Sequence, residues 1–302
     1  MKEDHSINTF RDPKETLKDR QVESLIFTPD GKFIICTPKY NAIEIWDTES
    51  GNIFKKIQVN KALNGTVTSV KITPDGQYII TGSRNGKLKV FDFFSDALVW
   101  EFKTSGNLNR VALSPDGRYI GAASFKRIDI FDFPNREYIY RFNPGRTVLA
   151  IAISQDNKYL FISGQEKKIE MWDILEKSEV RTMETKKMGI IYSLAVTSNL
   201  NHVVSGGSNK LIRIWDYSSG KLINTIGGHA SWVNSVIISH DDKYILSSSS
   251  DKTIKIWELE TGRLVQTLFG HVGSVLSLAL SPEGKYIASG SSDRTIKLWN
   301  MI

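Results

Sequence analysis

Two groups of four residues in this 302-residue chain contain the parts of a nucleophilic triad: His229, Ser247, Asp251 and Trp257, and again His271, Ser289, Asp293 and Trp299. A base held between a hydroxyl and a carboxylate could activate the serine for acyl transfer. The duplication argues against it, because an active site has no reason to occur twice in neighbouring segments. Other candidates for chemistry carry less. His240, Asp241 and Asp242 are metal-ligand types, but adjacent turn residues point in different directions and a structural site needs convergent ligands. The stretch Gly82 to Lys87 resembles a phosphate loop, yet it precedes a strand and lacks the Gly-Lys-Ser/Thr ending. A single cysteine, Cys36, excludes an internal disulfide and any multi-cysteine zinc site. The expectation is a non-enzymatic chain with no catalytic residues, no metal and no cofactor.

Hydrophobic residues make up 40% of the chain and charged residues 24%, values that describe a folded globular protein. No apolar run reaches the roughly 18 to 20 residues needed to cross a bilayer, and the start, MKEDHSINTFRDPKET, lacks the apolar stretch of a secretory signal. The expectation is a cytoplasmic protein, with the nucleus as the alternative.

The elements around these residues repeat. A turn of the type TPDGKF (28–33) returns as TPDGQY (73–78), SPDGRY (114–119), SQDNKY (154–159), TSNLNH (197–202), SHDDKY (239–244) and SPEGKY (281–286). After each comes an alternating strand that ends on an aromatic residue: Trp46, Phe91, Phe131, Trp172, Trp215, Trp257 and Trp299. Their spacings run from 40 to 45 residues. Short alternating runs punctuated by turns are the signature of antiparallel strands. The chain resembles the WD-repeat family, whose units of about 40 to 45 residues carry Gly-His early and Trp-Asp late and fold as propeller blades of four strands. Gly-His survives only at Gly228-His229 and Gly270-His271, and the second and third units have Phe in place of Trp. The resemblance implies that each tetrad is a structural hydrogen-bonded chain, Trp to Ser to His to Asp. Units one to five carry degenerate versions, such as Cys36 with Tyr40 and Ser163 with Glu166, and should be latched less tightly.

Spacing separates what the fold fixes from what it leaves free. From the aromatic that ends the third strand to the apolar residue that closes the fourth is 11 residues in all six measurable units, whereas the connection into the next unit varies from 9 to 13. The chain stops three residues after Trp299, before a seventh outer strand could form. An open strand edge invites association, and Ser6 to Phe10 reads like Leu222 to Ile226. The expectation is a single all-β domain over residues 1–302: a seven-bladed propeller of four-stranded antiparallel blades. Residues 5–10 would form the outer strand of the last blade, and the polypeptide would then be complete.

Strand order puts two sets of loops on each face, so charge can be assigned from sequence. The face made by the unit connections and the second-to-third-strand loops, here called top, carries about +12, and the bottom about −10, within a net charge of +6. Arg with interleaved aromatics is a composition typical of binding hot spots, and a basic patch speeds association with acidic partners. The expected site is therefore Tyr40, Arg84, Lys87, Phe125, Lys126, Arg127, Lys167, Lys210 and Trp232. The expected partner is an acidic peptide or protein segment, bound by a monomeric propeller inside a larger complex. The alternative is recognition of RNA, DNA or an anionic lipid headgroup by the same face. Phe125-Lys126-Arg127-Ile128 only poorly resembles the Phe-Arg-Arg-Gly signature of phosphoinositide-binding propellers.

Overall fold

The computed structural model describes residues 3–11, 21–38, 41–60, 65–104, 106–184 and 189–302. Tyr40 of the expected site lies outside them. The described chain forms seven four-stranded antiparallel sheets, each made of strands a to d from the inside outward. In blade one these are Val22–Phe27, Phe33–Pro38, Ala42–Asp47 and Ile53–Gln58. Blade seven takes three strands from the end of the chain, Val275–Leu280, Tyr286–Ser291 and Ile296–Asn300, and its strand d from the beginning, Asn8–Phe10. Asn8 pairs with Leu298 and Phe10 with Ile296. Beyond the ladder, the Ile7 amide donates to the Leu298 carbonyl and the His5 amide to the Phe269 carbonyl, both at 2.8 Å.

The recurrent turn has a local cause. The hydroxyl at its first position accepts the amide of the aromatic five residues on: Thr28 from Phe33 at 3.0 Å, Thr73 from Tyr78 at 2.9 Å and Ser114 from Tyr119 at 2.7 Å, with the same bond in the other four blades. The same hydroxyl donates to the Asp two residues later in blades one to four and six. The fourth position needs a left-handed backbone, which Gly31, Gly76, Gly117 and Gly284 adopt without a Cβ penalty. The acid after the strand-c aromatic has a similar duty. Asp47, Asp92 and Asp216 accept the amides of Ser50, Ser95 and Ser219 at 2.6 to 2.8 Å and close the turn into strand d.

Packing follows the ring. The buried apolar residues sort into seven layers, each shared by two neighbouring blades. The layer between blades seven and one contains Phe10, 1% exposed, whose ring lies 6.1 Å from that of Trp46. Lys297 of blade seven reaches outward to this strand and the residues before it, where its ammonium contacts Asp4 at 2.6 Å, Ser6 at 3.0 Å and Thr9 at 2.9 Å. Burial opposes ionisation of Asp4, but the bonds from Lys297 and Ser6 outweigh it and lower its pKa to about 2.

Every strand a carries a register break after its first residue, at Val22/Ser24, Leu108/Arg110, Ile191/Ser193 and the equivalent places of the other four blades. A bulge re-aims the extra residue. In blades one, five, six and seven the second residue of strand a, Glu23, Tyr192, Asn234 or Leu276, lines the top opening of the central channel, and in all seven the third lines the channel itself.

Candidate functional site

The triad residues come together in the way the repeat demands. In blade six the Trp257 indole N–H donates to Ser247 Oγ at 2.8 Å, Ser247 Oγ meets His229 Nε2 at 2.7 Å, and His229 Nδ1 meets Asp251 Oδ2 at 2.8 Å. Blade seven repeats the chain through Trp299, Ser289, His271 and Asp293 at 2.8, 2.8 and 2.7 Å. Ser247 and Ser289 have no exposed surface, so neither hydroxyl can reach a substrate. Burial opposes ionisation of both aspartates, yet the bonds from His229 or His271, together with those from Thr253 or Thr295, hold the two carboxyls well below the usual carboxylate range. Such a network stabilises because every member is satisfied. His271→Ala should therefore cost on the order of 1–3 kcal/mol by leaving Ser289 and Asp293 short of a partner. Urea denaturation reads the loss; a variant that melts like the wild type would remove the structural role. His240, Asp241 and Asp242 diverge, to the Ser281 carbonyl, Ser239 and Ser198 respectively.

The degenerate blades are not uniformly loose. In blade four Arg146, 6% exposed, takes the place of the histidine. It ion-pairs with Glu166 at 3.0 Å and with Glu170 at 2.7 Å, while the Trp172 indole donates to Glu170 at 3.3 Å. Burial opposes ionisation of Glu170, but Arg146 and Lys168 lower its pKa. Ser163 stands outside this set and donates to the Lys168 carbonyl. In blade two Asn60 plays the part, donating to Ser83 at 3.0 Å and accepting from Asn85 at 3.2 Å. Blade five keeps the Trp215 to Ser205 bond, at 2.9 Å. Blade one is the weak case: Cys36 stands at the hydroxyl position and the buried Trp46 indole N–H has no hydrogen-bond partner among the described residues.

The expected binding residues divide into two sets. Arg84 and Trp232 lie at the top opening of the channel. Arg84 ion-pairs with Glu23 at 3.6 Å, and Trp232, 51% exposed, packs 5.9 Å from the Tyr192 ring. A cavity of about 280 Å³ at this mouth is lined by Glu23, Arg110, Tyr192, Trp232, Asn234 and Leu276, with Gln21 at its edge. Most of these strand-a residues are missed by counting loop charges; aligning the seven inner strands singles out Arg110. The remaining residues lie farther out on the turns between strands b and c. Lys87 is paired with Glu101 at 2.7 Å, so it adds little free charge. Phe125 is 57% exposed with the Lys126 ammonium 5.4 Å from its ring, and Arg127 opens the following strand.

Lys126, Lys167 and Lys210 share a backbone position, with φ of 64°, 61° and 66°. Lys252 and Arg294 occupy it in blades six and seven, both with φ of 73°. All five are exposed, and their side chains make no ion pair or hydrogen bond among the described residues. Summed over each turn, the charge of the last two is offset by Asp251 and Asp293. Those acids are turned inward onto the histidines, so blades six and seven contribute surface cations after all.

Residues 16–191 match the NWD2 C-terminal beta-propeller family, and residues 177–216, 220–258 and 262–300 each match the WD domain, G-beta repeat. The chain belongs to the WD-repeat β-propellers. The three individual repeat matches run from the outer strand of blade four through the inner three strands of blade seven, and so include the three blades that keep the Trp-to-Ser bond. Similar proteins include cilia- and flagella-associated protein 52 of Mus musculus, 30% identical over 80 residues, a stretch that is 26% of this chain and 13% of that protein. Autophagy-related protein 16 of Arabidopsis thaliana is 31% identical over 80 residues, 26% of this chain and 16% of its own. Methylosome protein WDR77 of Xenopus laevis is 29% identical over 80 residues, 26% of this chain and 24% of its own. The matched stretch thus spans less than a quarter of each of these three proteins.

Proposed function

We propose that this WD-repeat propeller is a non-enzymatic protein-interaction scaffold whose top face binds an acidic segment of a partner protein inside a larger complex. The observation that carries the reading is the row of five exposed cations, Lys126, Lys167, Lys210, Lys252 and Arg294, presented from one turn position in five successive blades. Unpaired cations spaced around a rim offer a field to a negatively charged chain and raise its association rate. The aromatic mouth at Trp232 and Tyr192 supplies an anchor of the kind that carries binding energy. The propeller acts as a monomer in a hetero-complex. Its similarity to a cilia- and flagella-associated protein is compatible with a cytoskeletal or cytoplasmic setting, and among the described residues no helix is long and apolar enough to cross a membrane.

The test is charge reversal on the rim. A fluorescent peptide rich in Asp and Glu should bind the wild type and lose at least tenfold in affinity to Lys126→Glu/Lys167→Glu/Lys210→Glu, while the thermal midpoint stays within about 2 °C because the three exposed side chains make no ion pair or hydrogen bond among the described residues and only Lys126 touches a ring, that of the exposed Phe125. Undiminished binding would reject the face. Capture of a single-stranded RNA oligonucleotide in place of the peptide, with affinity falling steeply as salt rises, would replace the reading by nucleic-acid recognition.

A further inference from the structure

Inside the channel the inner strands follow a rule that two residues break. At the third position of strand a the blades carry serine five times and Ala150 once; blade three carries Arg110. The serines serve the ring: Ser24 Oγ accepts the Val70 amide at 3.3 Å, Ser69 Oγ the Val111 amide at 3.1 Å and Ser193 Oγ the Val236 amide at 3.0 Å, each across a blade boundary. Arg110 makes no such bridge, and one of its guanidinium nitrogens donates to the Asn109 carbonyl at 3.1 Å. Two positions further down, four blades have alanine and two isoleucine, whereas blade two has Lys71. Its ammonium forms no hydrogen bond or ion pair among the described residues.

Both cations face one cavity of about 160 Å³ whose single acidic wall residue is Glu23, near the mouth and within 3.6 Å of Arg84. Burial lowers the pKa of Lys71, and the nearby Arg110 charge lowers it further. Burial likewise lowers that of Arg110, against the pull of Glu23 and with the push of Arg84. Two like charges held in a confined space whose one carboxylate is shared with Arg84 are costly, and an anion between them reduces both penalties. At about 30 Å³ per water molecule the cavity has room for one small anionic group and its residual hydration.

We propose that the central channel is a binding site for one oxyanion, a carboxylate or phosphate group, held between Arg110 and Lys71 and admitted through the mouth at Trp232. The site does not depend on the cationic rim. Arg110→Ser and Lys71→Ala each install a residue that other blades carry at the same place, so the propeller should fold with either.

The experiment is thermal unfolding of the purified chain titrated with sodium phosphate, sodium acetate or a short Asp-containing peptide, at ionic strength fixed with sodium chloride. A saturable rise in midpoint is expected for the wild type, with the apparent affinity at least tenfold weaker in Arg110→Ser and in Lys71→Ala. Phosphate as the effective arm identifies a free anion as ligand; the peptide as the effective arm identifies the acidic side chain of a docked partner. General stabilisation by an excluded salt is unsaturable and would be equal in all variants. The proposal is overturned if no arm gives a saturable rise, or if the two variants respond as the wild type does. Lys126→Glu/Lys167→Glu/Lys210→Glu should keep the phosphate response in full, which separates failure of the channel site from failure of the rim.

Discussion

Replacing Phe10 by alanine should destabilise the protein by about 3–5 kcal/mol, the cost of emptying a fully buried aromatic site. Phe10 is the apolar terminus of the strand that completes blade seven, and its ring fills the layer between that blade and Trp46 of blade one. The backbone opposite it is built for that ring: a Cβ placed on Gly51, whose φ is 70°, would sit 3.0 Å from Phe10 Cδ1. Losing the ring does more than leave a void. The ladder it anchors has only three paired residues, Asn8 to Phe10, so it would loosen and uncover the edge of Ile296–Asn300, and an uncovered edge is a template for association. The measurement is chemical denaturation followed by tryptophan fluorescence, with light scattering as a second readout. Ile7→Ala is the control, because Ile7 is 47% exposed and should change stability by less than about 0.5 kcal/mol. A loss below about 1 kcal/mol for Phe10→Ala would mean that the first strand does not seal the ring.

The second large effect is expected at Arg146. Removing one member of a buried ion pair costs about 3–5 kcal/mol because the other charge stays behind in a dry site. Here Lys168 still stands 2.8 Å from Glu170 and 3.7 Å from Glu166 and offsets part of the loss, so Arg146→Met should cost about 3 kcal/mol. Coupling distinguishes a latch from a packing defect. The double variant Arg146→Met/Glu170→Gln should be more stable than the sum of the two single losses by at least about 1 kcal/mol. Strict additivity would show that the pair does not act as a unit, and blade four would then be held by its apolar layer alone.

These two sites show where a sequence speaks and where it is silent. The turns and the strand-c aromatics recur at nearly fixed spacing, because a hydroxyl accepting the amide five residues on and a left-handed fourth position admit few residue types. The blade count can therefore be read directly from the chain. Arg146 and Asn60 were not legible as latches. Both lie in the connections between blades, which vary in length, so neither aligns with His229 or His271, and neither resembles a histidine chemically. The channel mouth was missed for a different reason. Glu23, Tyr192, Asn234 and Leu276 reach it because each inner strand is bulged at its second residue, and a bulge leaves no mark on an alternating pattern. Counting loop charges also misjudged the rim. Lys87 is neutralised by Glu101 on a strand, whereas Lys252 and Arg294 are released by aspartates that the histidines draw inward.

The proposal that the rim grips acidic chains is tested most directly by hydrogen–deuterium exchange on the full chain with and without a saturating Asp/Glu-rich peptide. The account predicts slowed exchange confined to the turns at 123–127, 164–168, 206–210, 248–252 and 290–294 and to the mouth around Trp232, with the Thr28 to Phe33 turn and its six counterparts unchanged. Protection on those opposite turns, with the cationic turns exchanging as before, would contradict it.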